Sequence, residues 1–374
     1  MYDQSFNYIT ISRMLRKNDF YVRKWLKNSP LKESELKAAV SRASAGFSGY
    51  NFLSTTCIRR KNVYRIADFC DELVLRKIDR NLKKAFPLPN DSRDSIIANL
   101  KSLLSESIQY KIYRLDIKGF YESFDIHMIL ERLDSIKNLS PATKQFLRDI
   151  LGNFAATGGS GLPRGLSISA TLSGIMMERF DKKVAQLPEV FYYRRYVDDI
   201  IIITSGEEGT KQFIRELNEL LPKDLHFNKK KEYLCAAPDS KPFKSNAQNV
   251  GNPILLRFEY LGYRFTVYEP TAKNIRRDVY LDIADSKVNK IKTRLTKAFI
   301  DYSANKNFDL LEMRVRLLTS NYTVLDINKG SFRLAGIYHN YHRIDAHESE
   351  ALKEIDKYLQ KAVISGYGKV FQRV

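Results

Sequence analysis

Residues 191–205, FYYRRYVDDIIIITS, set two adjacent carboxylates, Asp198 and Asp199, between two runs rich in aromatic and β-branched residues. Runs of this kind read as two strands, and the two residues between them as a tight hairpin turn. This constrains the fold more than any other segment does. If its strands are central in a sheet, the two acids stand at one of that sheet's edges. Asp is also an ordinary turn residue that needs no further role. Unpartnered turn acids prefer solvent, however, and the apolar flanks argue for burial.

A third carboxylate is placed the same way. Asp116 ends the apolar strand YRLD, and it can equally be read as the cap of a following helix. If this strand neighbours the hairpin, three acids from distant parts of the chain converge. Carboxylates that close repel, and their pKa values rise unless a cation neutralises them. An all-oxygen site with few protein ligands suits Mg²⁺, which keeps water and substrate phosphates in its remaining positions. Two such ions about 3.5–4 Å apart can clamp the attacking and leaving oxygens of a phosphoryl transfer.

The composition points to the partner of such a site. Among 374 residues, 62 Lys and Arg stand against 43 Asp and Glu, a net charge of +19. That excess predicts a polyanion, most simply nucleic acid, with a membrane surface as the competing reading. No apolar stretch approaches the roughly 20 residues needed to span a bilayer. The opening MYDQSFNYIT lacks a signal pattern, so a cytoplasmic protein is expected. Cys57, Cys70 and Cys235 are too scattered for a disulfide framework or a zinc set, and His339 and His342 have no ligand cluster beside them. Repeats and low-complexity segments are absent.

Residues 1–50 look helical and basic. The segment from Cys57 begins with strand-like alternation and turns helical near Asp68. Helices are expected in SIIANLKSLLSES, PATKQFLRDILGNFAA and EEGTKQFIRELNELL, and a Gly-rich loop followed by a long helix in TGGSGLPRGLSISATLSGIMMERF. LHFNKKKEYL reads as a strand with a basic bend and LLRFEYLGYRFTVYE as a strand or hairpin. From Asp285 onward helical patterns dominate. Together these give an α+β unit with an antiparallel sheet, flanked by basic helical segments.

YVDD between apolar runs resembles the hallmark of reverse transcriptases, and five further segments resemble that family's motifs in the family's order. LDIKGFYESFD is similar to the first palm motif, GLPRGLSISATL to the second, LHFNKKKEYL to the fourth, FEYLGYRF to the fifth, and KNVYRIADFCDELVLRKI to the fingers motif. The six cover roughly residues 58–265.

The resemblance implies the right-hand polymerase fold: a basic helical extension (1–50), fingers (51–110), a palm with an antiparallel sheet (111–270) and a helical basic thumb (271–374). It implies that Asp116 and Asp198 bridge two Mg²⁺ ions (Mn²⁺ as substitute), with Asp199 the third acid and the Ile117 carbonyl completing one ion's shell. Tyr121 resembles the steric gate that leaves no room for a 2′-hydroxyl. Arg65 resembles the fingers residue that grips the triphosphate, with Arg60 and Lys61 as further contacts or plain surface charge. Lys231, by its spacing from Asn228, best matches the lysine acting on the pyrophosphate leaving group, with Lys229 and Lys230 as neighbours. Arg164 stands where the second motif usually has Gln, a substitution that resembles bacterial phage-defence reverse transcriptases, including abortive-infection types. Gly161 and Gly165 would let the backbone approach a base pair closely.

About 110 residues follow the fifth motif. They are basic and resemble a thumb that tracks a duplex through phosphate contacts, without a ribonuclease H or endonuclease segment. The implied function is RNA-directed DNA synthesis from dNTPs, in antiviral defence with a non-coding RNA. Implied partners are an RNA template or structured RNA, the DNA product, and a second reverse transcriptase or another copy of the chain. The alternatives are template-independent or protein-primed DNA synthesis, an RNA-dependent RNA polymerase, a group II intron maturase, and an inactive RNA-binding scaffold.

Overall fold

A computed structural model of the chain describes residues 2–49, 51–58, 61–89, 91–239, 253–270, 276–326 and 331–364. In chain order they form α1 (Tyr8–Ser12), α2 (Lys17–Val22), α3 (Ser29–Ala45), β1 (Leu53–Ile58), β2 (Lys61–Ile66), α4 (Phe69–Ala85), α5 (Arg93–Leu104) and β3 (Tyr110–Asp116). There follow α6 (Ile126–Asp134), α7 (Pro141–Ala156), α8 (Ser167–Ala185), β4 (Val190–Tyr196), β5 (Asp199–Thr204), α9 (Thr210–Leu220) and β6 (Tyr233–Ala237). Last come β7 (Ile254–Tyr260), β8 (Tyr263–Tyr268), β9 (Val279–Ile283), α10 (Asp285–Asn305), α11 (Phe308–Thr319), β10 (Asn321–Asp326), β11 (Ser331–Gly336), α12 (Ile337–Asn340) and α13 (Glu350–Ile364). The architecture is α+β.

The chain divides into two compact units. The first comprises Met1–Asp91, Lys111–Leu234 and Ile327–Gly330; the second comprises Ser92–Tyr110, Cys235–Asp326 and Ser331–Val374. The first unit holds the strands that carry the acids, in the order β4-β5-β3. The Ile-rich run behaves as expected of a central strand: Ile200, Ile201, Ile202 and Ile203 on β5 are all buried. β3 alternates little for the same reason, with five of its seven residues buried. Behind the sheet lies a helical core in which α8 contributes Ile168, Leu172, Ile175, Phe180 and Val184.

α4 is also largely buried in this unit. Asp71 and Glu72 stand in its first turn and Lys83 and Lys84 in its last, matching the helix dipole. Leu73, Val74, Ile78 and Leu82 are fully buried. Thr171 of α8 donates to Asp79 of α4 at 2.6 Å and ties the two helices together. α4 also anchors the N-terminal helices through Arg76, whose guanidinium forks onto the buried Asp19 at 2.7 and 2.9 Å and donates to the Met14 carbonyl.

In the second unit, β7, β8 and β9 form a three-stranded antiparallel sheet. FEYLGYRF is indeed a hairpin, with Leu261 and Gly262 at its turn. β9 and the β10–β11 hairpin interrupt the region expected to be mainly helical. Tyr322, Thr323 and Val324 are strand formers that the surrounding basic helical patterns overshadow in the sequence. His342 pairs with Asp94 at 2.8 Å, and Tyr341 packs edge-on against Tyr263. No described helix is long and apolar enough to cross a membrane.

Truncating one partner of a buried ion pair leaves the other charge uncompensated, so Arg76→Ala should destabilise the first unit by about 3–5 kcal/mol. Lys37→Ala removes an exposed i,i+4 pair with Glu33 and should cost no more than about 0.5 kcal/mol. Chemical denaturation of the two variants checks the contrast.

Candidate active site

Strand register brings the distant acids together. β3 and β5 pair antiparallel with Asp116 directly opposite Asp199, and β4 places Tyr196 opposite Asp199 on the other side. Residues opposite each other on neighbouring strands project to the same face. The hairpin turn lies one residue earlier than Asp198–Asp199. The two-residue turn is Val197–Asp198, and Asp199 is the first residue of β5. The turn is shifted by one residue because Val197, a β-branched residue that disfavours turns, takes a left-handed conformation at φ 62°.

The surroundings hold that strained turn in place. The Ile117 N–H donates to the Asp198 carbonyl at 3.1 Å. Arg195 donates to the Val197 carbonyl at 3.0 Å and is itself held by Asp181 of α8 at 2.8 and 2.5 Å. Backbone strain fixed by its neighbours in this way is characteristic of functional sites.

Asp116 is 6% exposed. Lys231 donates to its Oδ1 at 2.7 Å and the Asn228 amide to its Oδ2 at 3.1 Å. An isolated bridge between Ile117 and Phe227 lays this segment alongside the end of β3. Its bonds run from Lys118 N–H to the His226 carbonyl and from Asn228 N–H to the Asp116 carbonyl, and they leave the Ile117 carbonyl out. The 3₁₀ turn Lys229–Lys231 then carries Lys231 back over Asp116. Of the three lysines, all exposed, Lys231 is the one with a bond to Asp116.

Burial, followed by the neighbouring Asp198 carboxylate, raises the Asp199 carboxyl above its ordinary range, and Asp116 adds to the effect. The donor set is all oxygen and crowded with negative charge, which fits hard divalent cations. Among the described residues no group of three His, Cys, Asp or Glu side chains is arranged as a ready metal cage. In this arrangement Lys231 and Asn228 occupy the two oxygens of Asp116.

Tyr121 lies past the end of β3, half-buried. Burial raises its hydroxyl above the usual value, with Arg164, Asp198 and Ser173 among its electrostatic neighbours. The two glycines of the second motif allow close approach, though to protein backbone. A Cβ on Gly161 would stand 2.2 Å from the Tyr121 carbonyl oxygen, and one on Gly165 2.6 Å from that of Tyr64. Both have positive φ. The loop is thereby pinned to the first motif, through Leu162 N–H to the Tyr121 carbonyl, and to β2, through Tyr64 N–H to the Arg164 carbonyl, both at 2.7 Å.

Arg65 and Lys61 are exposed on β2, which pairs with β1. Strand alternation puts both on the face of Val63, and Val63 abuts Gly165. Arg60 lies outside the described residues. Sequence reasoning missed two residues: Glu122, which pairs with Arg164, and Asp181, which anchors Arg195. The signal for Glu122 was its position next to Tyr121; nothing local marked Asp181.

The family model of reverse transcriptase (RNA-dependent DNA polymerase) matches residues 62–265, more than half of the chain. The chain belongs to that family, and with it to the right-hand polymerase fold. No curated protein matches the chain. Similar solved structures include apo telomerase from Candida tropicalis truncated from its C-terminal domain (16% identity, 52% of this chain and 43% of that one, TM-score 0.34). Two others are telomerase complexes with a TWJ fragment of telomeric RNA. For Candida albicans the values are 13% identity, 65% and 45% coverage and TM-score 0.35; for Candida tropicalis they are 12%, 81% and 64%, and 0.38. This chain spans less than two thirds of each.

Two outcomes follow for the site. Val197→Asn, which tolerates the left-handed turn, should raise stability by about 1 kcal/mol in thermal unfolding, and a loss of that size would show that the turn is unstrained. Because the Asp199 carboxyl is raised in the folded state, its charge costs stability above that raised value, and the cost vanishes as pH falls below the ordinary carboxylate range. In chelator at pH 7, Asp199→Asn should therefore melt above the parent, with the gap closing towards pH 4. A lower-melting variant would contradict this.

Proposed function

We propose that the chain is an active RNA-directed DNA polymerase that adds dNTPs at a site built on Asp116, Asp198 and Asp199. The reading is carried by one observation: Asp116 and Asp199 face each other across β3 and β5, with Asp198 in the adjoining turn. The regions proposed for the fold are fingers at 51–110, palm at 111–270 and thumb at 271–374.

Asp116, Asp198, Asp199 and the Ile117 carbonyl would hold two Mg²⁺ ions. When bound, these supply Lewis-acid activation of the primer hydroxyl and charge neutralisation at the phosphates. The chain's own groups do the remaining work. Lys231 stands on Asp116 and, once that acid is neutralised otherwise, is released towards the pyrophosphate leaving group, where it can donate a proton. Tyr121 presents an aromatic ring beneath the sugar and excludes a 2′-hydroxyl. Arg65 and Lys61 offer guanidinium and ammonium donors to the triphosphate. The net charge of +19 supports a nucleic-acid partner held mainly through phosphates.

The finer reading is an anti-phage enzyme that works in the cytoplasm with a non-coding RNA, supported by Arg164 in place of the second motif's Gln. A second reverse transcriptase or a second copy of the chain is the proposed protein partner.

Primer extension with the four dNTPs and Mg²⁺ tests the core of the proposal. The parent should extend the primer. Asp198→Asn should lose about 10³-fold or more in kcat, and chelator should abolish extension. Extension with rNTPs in preference to dNTPs would favour an RNA polymerase, and full activity of Asp198→Asn would refute the assigned chemistry. Sequencing the nucleic acids that purify with the chain identifies the template, and a product complementary to no bound RNA would contradict templated copying.

A further inference from the structure

The second-motif arginine is held by its own protein on one edge and one face. Arg164 Nε donates to Oε1 of Glu122 at 2.9 Å and its Nη2 to Oε2 at 3.1 Å, a two-pronged fork. The same guanidinium lies over the Tyr121 ring, 5.1 Å from its centroid. Phe120 meets the ring edge-on at 5.3 Å. Glu122 directly follows Tyr121, so the anion that fixes the guanidinium is tied by the backbone to the ring on which it rests. Ser160 closes the arrangement by donating to the Glu122 carbonyl at 3.0 Å.

This geometry bears on what Arg164 can do. A guanidinium carries five N–H donors around its rim and two faces. Here the Nε/Nη2 edge is taken by Glu122 and one face by Tyr121, so the residue is turned towards the neighbouring motif. Fold stability alone explains the pair poorly. The Arg164 side chain is 27% exposed and that of Glu122 is 42% exposed, and pairs this open contribute little to folding. Orientation is where the arrangement has leverage: a cation over an aromatic ring restrains the ring's tilt, and the bond pair to Glu122 fixes where that cation sits.

We propose that the Glu122–Arg164 pair is a positioning device for Tyr121, which makes both residues determinants of sugar selectivity. Glu122 holds the guanidinium over the ring, and the ring then keeps the orientation that excludes a 2′-hydroxyl. Arg164 thus acts on the nucleotide through Tyr121. The inference rests on the reading of Tyr121 as the sugar-selecting residue, and the test separates the two.

The measurement is the ratio of kcat/KM for a dNTP to that for the matching rNTP, in the full chain, for Tyr121→Ala, Glu122→Gln, Arg164→Lys and the double variant. Arg164→Lys keeps the charge and guards against a folding artefact, because a lysine can neither fork nor lie flat. Tyr121→Ala should remove most of the discrimination. Glu122→Gln and Arg164→Lys should each lower the ratio by about three- to tenfold, and the double variant should be no worse than either single one, since each change breaks the same unit. If Tyr121→Ala collapses the ratio while Glu122→Gln leaves it within about twofold of the parent, the positioning role is overturned and the gate stands. Multiplicative losses in the double variant would likewise overturn it, by showing that the two residues act separately. An unchanged ratio in Tyr121→Ala would remove the gate reading and this inference together.

Discussion

The register of β3 against β5 is the constraint on which the rest of the site depends. It sets Asp116 opposite Asp199 and fixes which face both acids share. In a sheet, a slip of one residue would send one of the two to the opposite face. The isoleucines of β5 are buried on both faces and would accept such a slip among themselves, so the register is fixed at the strand's end, by the Val197–Asp198 turn and the Ile117 N–H bond to the Asp198 carbonyl. The core holds the strand in the sheet, and its end sets the position of two charged groups. The like charges so assembled are only partly offset: Asp116 is held by Lys231 and Asn228, Arg114 and Lys231 lessen the charge cost at Asp199, and the backbone of the turn is braced by Arg195 and Ile117.

A second constraint is steric. Gly161 and Gly165 each bring backbone against backbone, one to Tyr121 and the other to Tyr64. The loop they bound therefore joins the first motif to the β1–β2 hairpin at fixed spacing, and it delivers Arg164 to Glu122. At both positions a side chain would collide with the protein's own peptide groups.

Much of this was legible in the sequence. The β4–β5 hairpin and the helices around it follow from period and composition. Six ordered motifs pointed to the family that residues 62–265 match. What remained hidden was tertiary. Nothing local says that Asp116 faces Asp199, since register is set by strands far apart in the chain. The turn was misplaced by one residue because Val197 adopts a conformation its side chain disfavours, imposed by its neighbours. Asp181 and Glu122 are ordinary surface acids by sequence and become site residues only through the arginines they face. The β10–β11 hairpin was hidden because basic helical patterning dominates the stretch from Asp285 onward, and β9 because its five residues are too short a run to stand out ahead of it.

The central claim is that Asp116, Asp198 and Asp199 act as one cation-binding set. Paramagnetic resonance of Mn²⁺ titrated into the protein with a dNTP present tests it most directly. The account predicts tight Mn²⁺ binding by the parent and its loss in Asp116→Asn, whereas unchanged Mn²⁺ binding in that variant would contradict it.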